Sequence, residues 1–266
     1  VNILCLSDLH INCNDSYKKI RRQINDIIAK DGRNIDAIAI TGDIIESDNT
    51  LRKAMRNMNI HINPYAMLNT LADCPIICCL GNHEFANSNP SSIIQSFKDM
   101  YNPKLYNVHY LDIIGHYDFN DKVRFIGNCL WYDGSLINAA EPHKVDILNI
   151  LGQVHFWFDQ TIINFDPRSL NKQCVEDIKN NIDNDKINIL LSHCVPDRRM
   201  NLFSLEEPAG VYNTFSGMDH LLEDIKVQYS LCGHTHRRII GKNINDCNCI
   251  NVGSDYKRIE YYILEI

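Results

Sequence analysis

Short apolar runs, each closed by a turn-forming or polar residue, recur along this chain. They lie at Ile3–Leu6, Ala37–Ile40, Ile76–Leu80, Val123–Ile126, Ile187–Leu191, Tyr229–Cys232, Cys249–Val252 and Tyr261–Leu264. Runs of four or five apolar residues bounded in this way predict buried strands. Between the early runs the period lengthens: Tyr17, Ile20, Ile24, Ile27 and Ile28 fall three and four apart, which predicts a helix over Tyr17–Ala29 with one apolar face. Shorter helical patterns cover Tyr65–Leu71, Ile93–Met100 and Val175–Ile182, and Ser91 or Ser92, just after Pro90, is placed to cap the second of these. Strand–helix alternation of this kind predicts an α/β fold with right-handed crossovers and a largely parallel sheet in the first half. The second half is more mixed, with strand pairs near its end.

The pattern is harder to read from about Asn128 to Asp166, where Trp131, Tyr132, Phe156, Trp157 and Phe158 concentrate aromatic surface. The favoured reading is a helical insertion with a small core of its own; the sharper one is a cap that shapes a cleft, with Trp131 and Tyr132 close to the chemistry because they follow a strand end. Glu206–Asn213 is a further loop placed to cover such a cleft. No stretch rich in Pro, Gly or Ser separates two domains, so residues 1–266 are expected to form a single domain with a cap or insertion around 128–166.

Charge narrows the partners. A formal net charge of −7 argues against tight binding to long nucleic acid, which needs a basic face. Nothing approaches the roughly 20 apolar residues of a membrane span. Eleven cysteines, several inside apolar runs, and an opening strand rather than a signal segment give the expectation of a reducing, cytoplasmic protein without structural disulfides. Cys247 and Cys249 form a lone C-x-C without the second pair that a zinc site requires.

The candidate chemistry sits at the strand ends. Asp8-Leu9-His10, Gly42-Asp43, Gly81-Asn82-His83-Glu84, Ser192-His193 and Gly233-His234-Thr235-His236 each follow a predicted strand directly. Ligand sites in α/β sheets lie where such loops converge, so five separated motifs can meet at one point. The glycines are expected to turn sharply with unusual φ, aiming the next side chain inward. Asp, Asn and His together suit a divalent transition metal better than Mg²⁺, which prefers oxygen alone.

In this order, the motifs resemble the calcineurin-like metallophosphoesterase superfamily, in its phosphodiesterase-like branch, and the resemblance spans Asp8 to His236. It implies a four-layer α/β/β/α sandwich with two mixed sheets and a dinuclear metal centre between them. The first ion would take Asp8, His10, Asp43 and His236, and the second Asp43, Asn82, His193 and His234. Asp43 would bridge the ions, and a water shared between them would become the nucleophile. The resemblance implies that His83 is the general acid, while Glu84 is expected to support the site. Manganese is expected first, with iron or zinc as alternatives. Arg198, Arg199 and Arg237 are candidates for phosphate contact, since guanidinium matches phosphate geometry. The expected activity is hydrolysis of a phosphodiester of unknown identity. The alternatives are a nuclease on short or single strands, a phosphomonoesterase or Ser/Thr protein phosphatase, and last a non-catalytic scaffold. Gly42-Asp43-Ile44-Ile45-Glu46-Ser47 lacks the Asp-Arg-Gly continuation of the protein phosphatases.

Overall fold

A computed structural model describes residues 1–11, 14–45, 63–139, 158–201, 216–254 and 258–266. All eight predicted strands are present. In chain order, β1 is Asn2–Leu6, β2 Ala37–Thr41, β3 Ile76–Cys79, β4 Val108–Tyr110, β5 His116–Asp118, β6 Val123–Asn128, β7 Ile187–Ser192, β8 Tyr229–Cys232, β9 Ile239–Ile244, β10 Cys247–Asn251 and β11 Tyr262–Glu265. The strands that the apolar pattern did not reveal are β4, β5 and β9. The first two are only three residues long, and β9 is an exposed edge, so neither length nor burial marks them.

The helices are α1 (Asn14–Asp31), α2 (Pro64–Leu68), α3 (Pro90–Met100), α4 (Leu111–Ile114), α5 (Ser135–Ala139), α6 (Pro167–Asn181) and α7 (Leu221–Asp224). The predicted cap of α3 moves forward. Asn89, not Ser91 or Ser92, is the N-cap, and its side chain accepts from Ser91 N at 2.9 Å. Pro90 explains the shift: it occupies the first helical position, where its missing N–H costs nothing.

The strands form two sheets. One has the order β11-β1-β2-β3-β4, parallel except for β11. The other has the order β5-β6-β7-β8-β10-β9, with a parallel centre and antiparallel edges. Alternation along each strand sorts the apolar residues into three cores. Ile3, Cys5, Ala37 and Ala39 of the first sheet meet Phe125, Ile189, Leu191 and Leu231 of the second. Leu4, Leu6, Ile38 and Ile40 point the other way, onto Ile20 and Ile24 of α1 and Phe97 of α3. Ile126 and Leu190 face Ile178 of α6 and Leu221 and Leu222 of α7. Three apolar interfaces require four layers, so the α/β/β/α sandwich follows from strand periodicity alone.

Among the described residues of segment 128–166, Trp131 does not pack apart from the main body. Its ring meets Phe85 edge-on at 5.2 Å and Phe165 at 4.8 Å, within the core beneath the first sheet's helices. Phe156, Trp157, the Phe158 side chain and the predicted loop Glu206–Asn213 lie outside the described residues. No described helix is long and apolar enough to cross a membrane.

Candidate metal centre

The two sheets present the C-terminal ends of β1, β2, β3, β7 and β8 to one another, and the five motifs start there. Pairing between β1 and β2 continues past the strands: Asp8 N donates to Gly42 O at 3.2 Å, His10 N to Asp43 O at 2.9 Å and Ile11 N to Ile44 O at 2.9 Å. That zipper sets Asp8, His10 and Asp43 side by side.

All seven predicted ligands come together. Asp8, His10 and His236 form one group, Asp43, His193 and His234 another, and His83 joins His10 and Asp43 in a third, the donor atoms of each lying within 4.8 Å of one another. Six of the seven are buried and His236 is half-buried. Burying so many polar groups is costly unless something answers their charge.

The hydrogen bonds define what would answer it. His193 Nδ1 lies 2.9 Å from the Thr41 carbonyl, which can only accept, so Nδ1 carries a proton and Nε2 is the ring atom turned inward. Asn82 Nδ2 donates to Asp159 Oδ1 at 2.9 Å, which aims Asn82 Oδ1 at His193 Nε2, also 2.9 Å away. His234 directs Nε2 to Ser216 Oγ at 2.5 Å and Nδ1 to His193 Nε2 at 3.1 Å. Asp43 Oδ1 lies 3.3 Å from the same nitrogen. Four potential ligand atoms from four residues thus share one point, where a cation would answer all of them at once. On the other side, His236 Nδ1 is bound to Ser254 O at 2.6 Å, leaving Nε2 for the interior. Asp8 Oδ1 accepts from His234 N at 3.0 Å, while Asp8 Oδ2 is buried with no hydrogen-bond partner among the described residues. The residues fit a pair of divalent cations.

Electrostatics point the same way. Burial works against a charged Asp43, but His193, His83 and His10 outweigh it and hold the carboxyl well below its usual range. Burial likewise opposes charge on His193, yet Asp43 lifts its proton affinity well above that of a free imidazole, so without a metal a proton on His193 takes the place of the cation beside Asp43. Burial and then the neighbouring His193 push His234 well below, into the neutral form that binds metals.

The expected role of glycine needs correction. Gly42 does adopt a left-handed φ of 79°, but Gly81 has φ −116°. The left-handed residues are the ligands themselves: Asp8 (51°), His10 (45°), Asp43 (48°), His234 (65°) and His236 (54°). Each such non-glycine residue costs about 1–2 kcal/mol, strain of the kind that clusters at functional sites. Gly81 serves close approach instead, since a Cβ there would stand 2.2 Å from Asp43 Oδ1.

His83 N donates to Asp43 Oδ1 at 3.0 Å, its Nε2 lies 3.7 Å from Asp43 Oδ2, and its ring meets His10 edge-on at 4.7 Å. Glu84 is not among the clustered donor groups. Its carboxylate accepts from Ile45 N at 2.7 Å and Gly81 N at 2.6 Å, tying the β2 and β3 loops together, and burial raises its pKa to about 7 with help from Asp43. Two of the arginines proposed for phosphate contact are occupied. Arg199 holds Asp197 and Glu223, and Arg198 holds Asp219. Sequence reasoning missed Thr41, Asp159, Ser216 and Ser254, which fix the ligand side chains. Ser254 alone carried a local signal, in the Asn-Val-Gly-Ser that follows β10.

Comparison with known proteins agrees with this geometry. A structural neighbour is the phosphopantetheinyl hydrolase of Mycobacterium tuberculosis, with a TM-score of 0.65 and 14% identity over 98% of this chain and 95% of that one. A Staphylococcus aureus protein provisionally named a 5′-nucleotidase, solved with α-ketoglutarate, aligns with a TM-score of 0.52 and 18% identity over 96% of this chain and 49% of its own. At these identities the likeness is one of fold. No curated protein matches the chain by sequence. The sequence model of the calcineurin-like phosphoesterases matches residues 1–238, and a dinuclear divalent metal site is what that family implies. The chain belongs to the calcineurin-like phosphoesterase family and is a metal-dependent hydrolase of phosphoesters.

Proposed function

We propose that this chain is a phosphodiesterase acting on small or medium soluble diesters. Two divalent ions, manganese first, would be held by Asp8, His10, Asp43 and His236 on one side and by Asp43, Asn82, His193 and His234 on the other. Bound there, such a pair supplies charge for the phosphoryl oxygens and a water acidic enough to act near neutral pH. The carrying observation is the convergence of four metal-ligating atoms, Asn82 Oδ1, His193 Nε2, His234 Nδ1 and Asp43 Oδ1, on one point.

The chain's own residues do the rest. Asp43 faces both half-sites through its two oxygens, 3.3 Å from His193 Nε2 and 3.9 Å from His10 Nε2, so one carboxylate serves both. His83 holds a proton at Nε2 beside that carboxylate and gives it to the departing alkoxide. Preference for diesters over monoesters is supported by the engaged arginines. A dianionic monoester calls for cations beyond the metals, and the guanidinium groups of Arg198 and Arg199 are already neutralised by acids. A net charge of −7 weighs against the nuclease alternative. A reducing, cytoplasmic setting belongs to the same proposal, supported by the ten described cysteines, all free thiols.

A side-by-side assay with Mn²⁺ tests this reading. It compares bis-p-nitrophenyl phosphate, p-nitrophenyl phosphate, cyclic nucleotides and single-stranded oligonucleotides. The proposal expects higher kcat/KM on diester than on monoester. Dominant cleavage of oligonucleotides would replace it with the nuclease, and faster monoester turnover with a phosphatase.

A further inference from the structure

Asn82 is the one carboxamide among the seven ligands, and which of its two ends meets a cation is decided by a neighbouring side chain and not by its own chemistry. A carboxamide rotated by half a turn offers an NH₂ where it had offered an oxygen, and an NH₂ repels a cation. Carboxylates have no wrong end, the imidazoles of His193 and His236 are fixed by backbone carbonyls, and that of His234 pairs with the Ser216 hydroxyl. Asn82 is fixed by Asp159, which lies 77 residues away in the chain, is 3% exposed, and accepts from Asn82 Nδ2 at 2.9 Å. A carboxylate can only accept, so it selects the rotamer with Oδ1 facing His193 Nε2. The second oxygen of Asp159 accepts from the Tyr132 hydroxyl at 3.0 Å, and this tyrosine is half-buried next to Trp131.

We propose that Asp159 is a positioning residue, held by Tyr132, that orients Asn82 and thereby builds the metal half-site formed with His193 and His234. The inference rests on the metal-centre reading above and adds to it a residue contributed by the segment between β6 and α6. That segment then has a role in the chemistry, because it carries a carboxylate behind a ligand, where partners of this kind govern metal affinity.

Mn²⁺ alone is the probe, with the full chain stripped of metal and reloaded. Ions per chain are counted by equilibrium binding, and the Mn²⁺ electron-spin resonance separates coupled pairs from isolated ions. The wild-type chain is expected to take up two ions and show the coupled signal. Asp159→Ala should weaken one ion by about 10–100-fold, leaving one ion per chain and the isolated six-line spectrum, while the ion at Asp8, His10 and His236 keeps its affinity. Asp159→Asn should restore the pair, because its own carboxamide oxygen still accepts from Asn82. Tyr132→Phe, which removes a single oxygen and keeps the test alive if Asp159→Ala fails to fold, should weaken the same ion by about threefold to tenfold. A two-ion Asp159→Ala with wild-type affinity would overturn the inference, as would equal weakening of both ions, which is the mark of general damage. A wild-type chain that takes up no Mn²⁺ would instead sink the metal-centre reading, and this inference with it.

Discussion

The half-site around His193 and the half-site around Asp8 differ in how their ligands are held. In the first, His193 is fully buried, the donor atoms of Asn82, His234 and Asp43 stand 2.9–3.3 Å from its Nε2, and each aim is set by a partner in Thr41, Asp159 or Ser216. In the second, His10 Nε2 stands 3.9 Å from Asp43, the His10 ring stacks on His236 at 5.5 Å, His236 is half-buried, and Asp8 and His10 are held mainly by the backbone zipper between the β1 and β2 loops. One is a closed cage fixed by side chains. The other is more open and fixed by strand pairing. Loss of a supporting side chain should therefore harm the first more, and chelators should reach the second sooner.

The largest expected effect removes the residue that both share. Asp43→Asn keeps the shape but discards the charge, and should abolish paired occupancy and cost on the order of 10⁴ in turnover. Metal analysis and steady-state kinetics read both, and retention of two ions would break the proposed bridge. Next comes His83→Ala, which should keep both ions and lose about 10²–10⁴ in turnover of unactivated esters, with a smaller loss on p-nitrophenyl leaving groups. Full activity in that variant would end the acid assignment. Ser216→Ala tests the cage directly. It frees His234 Nε2 and should weaken the His193-side ion by about tenfold while sparing its neighbour, an asymmetry that calorimetric titration resolves. Graded chelation sharpens the contrast without mutation: the Asp8-side ion is expected to leave first, and simultaneous loss of both would argue that the two half-sites behave alike.

The smallest effect separates acid damage to the fold from acid loss of metal. His109, stacked on Tyr117 at 4.2 Å, is pushed by burial to a pKa of about 4 and so stays neutral in the folded chain. An unfolded chain takes up that proton below about 6.5. Between these values the unfolded state binds more protons, so stability falls as pH falls through the window and is untouched above it. His109→Gln should flatten that acid limb in urea titrations at pH 7 and 4.5 and leave pH 7 activity alone. An unchanged limb would assign it elsewhere.

Much of this was legible in the sequence, for a physical reason. Buried parallel strands announce themselves as apolar runs, and polar residues directly after such runs must lie on one edge, so Asp8, Asp43, Asn82, His193 and His234 could be placed together from their positions along the chain. The supports could not. Asp159 reaches Asn82, and Ser216 reaches His234, through contacts that leave no periodicity behind. Backbone strain was misassigned at Gly233, because the left-handed turn falls one residue later, on His234, and at Gly81, which is needed for close approach to Asp43 instead. Arg198 looked available because its acidic partner Asp219 lies about 20 residues further along, whereas Arg199 pairs with Asp197 only two residues before it, a contact that the sequence did allow.

Anomalous diffraction from crystals grown with Mn²⁺ tests the central claim most directly. Two peaks about 3.5–4 Å apart, with Asp43 between them, Asn82 Oδ1 and the His193 and His234 nitrogens around one and Asp8 and His236 around the other, are the expected result. A map with no peak among these residues, at Mn²⁺ concentrations that support hydrolysis, would contradict it.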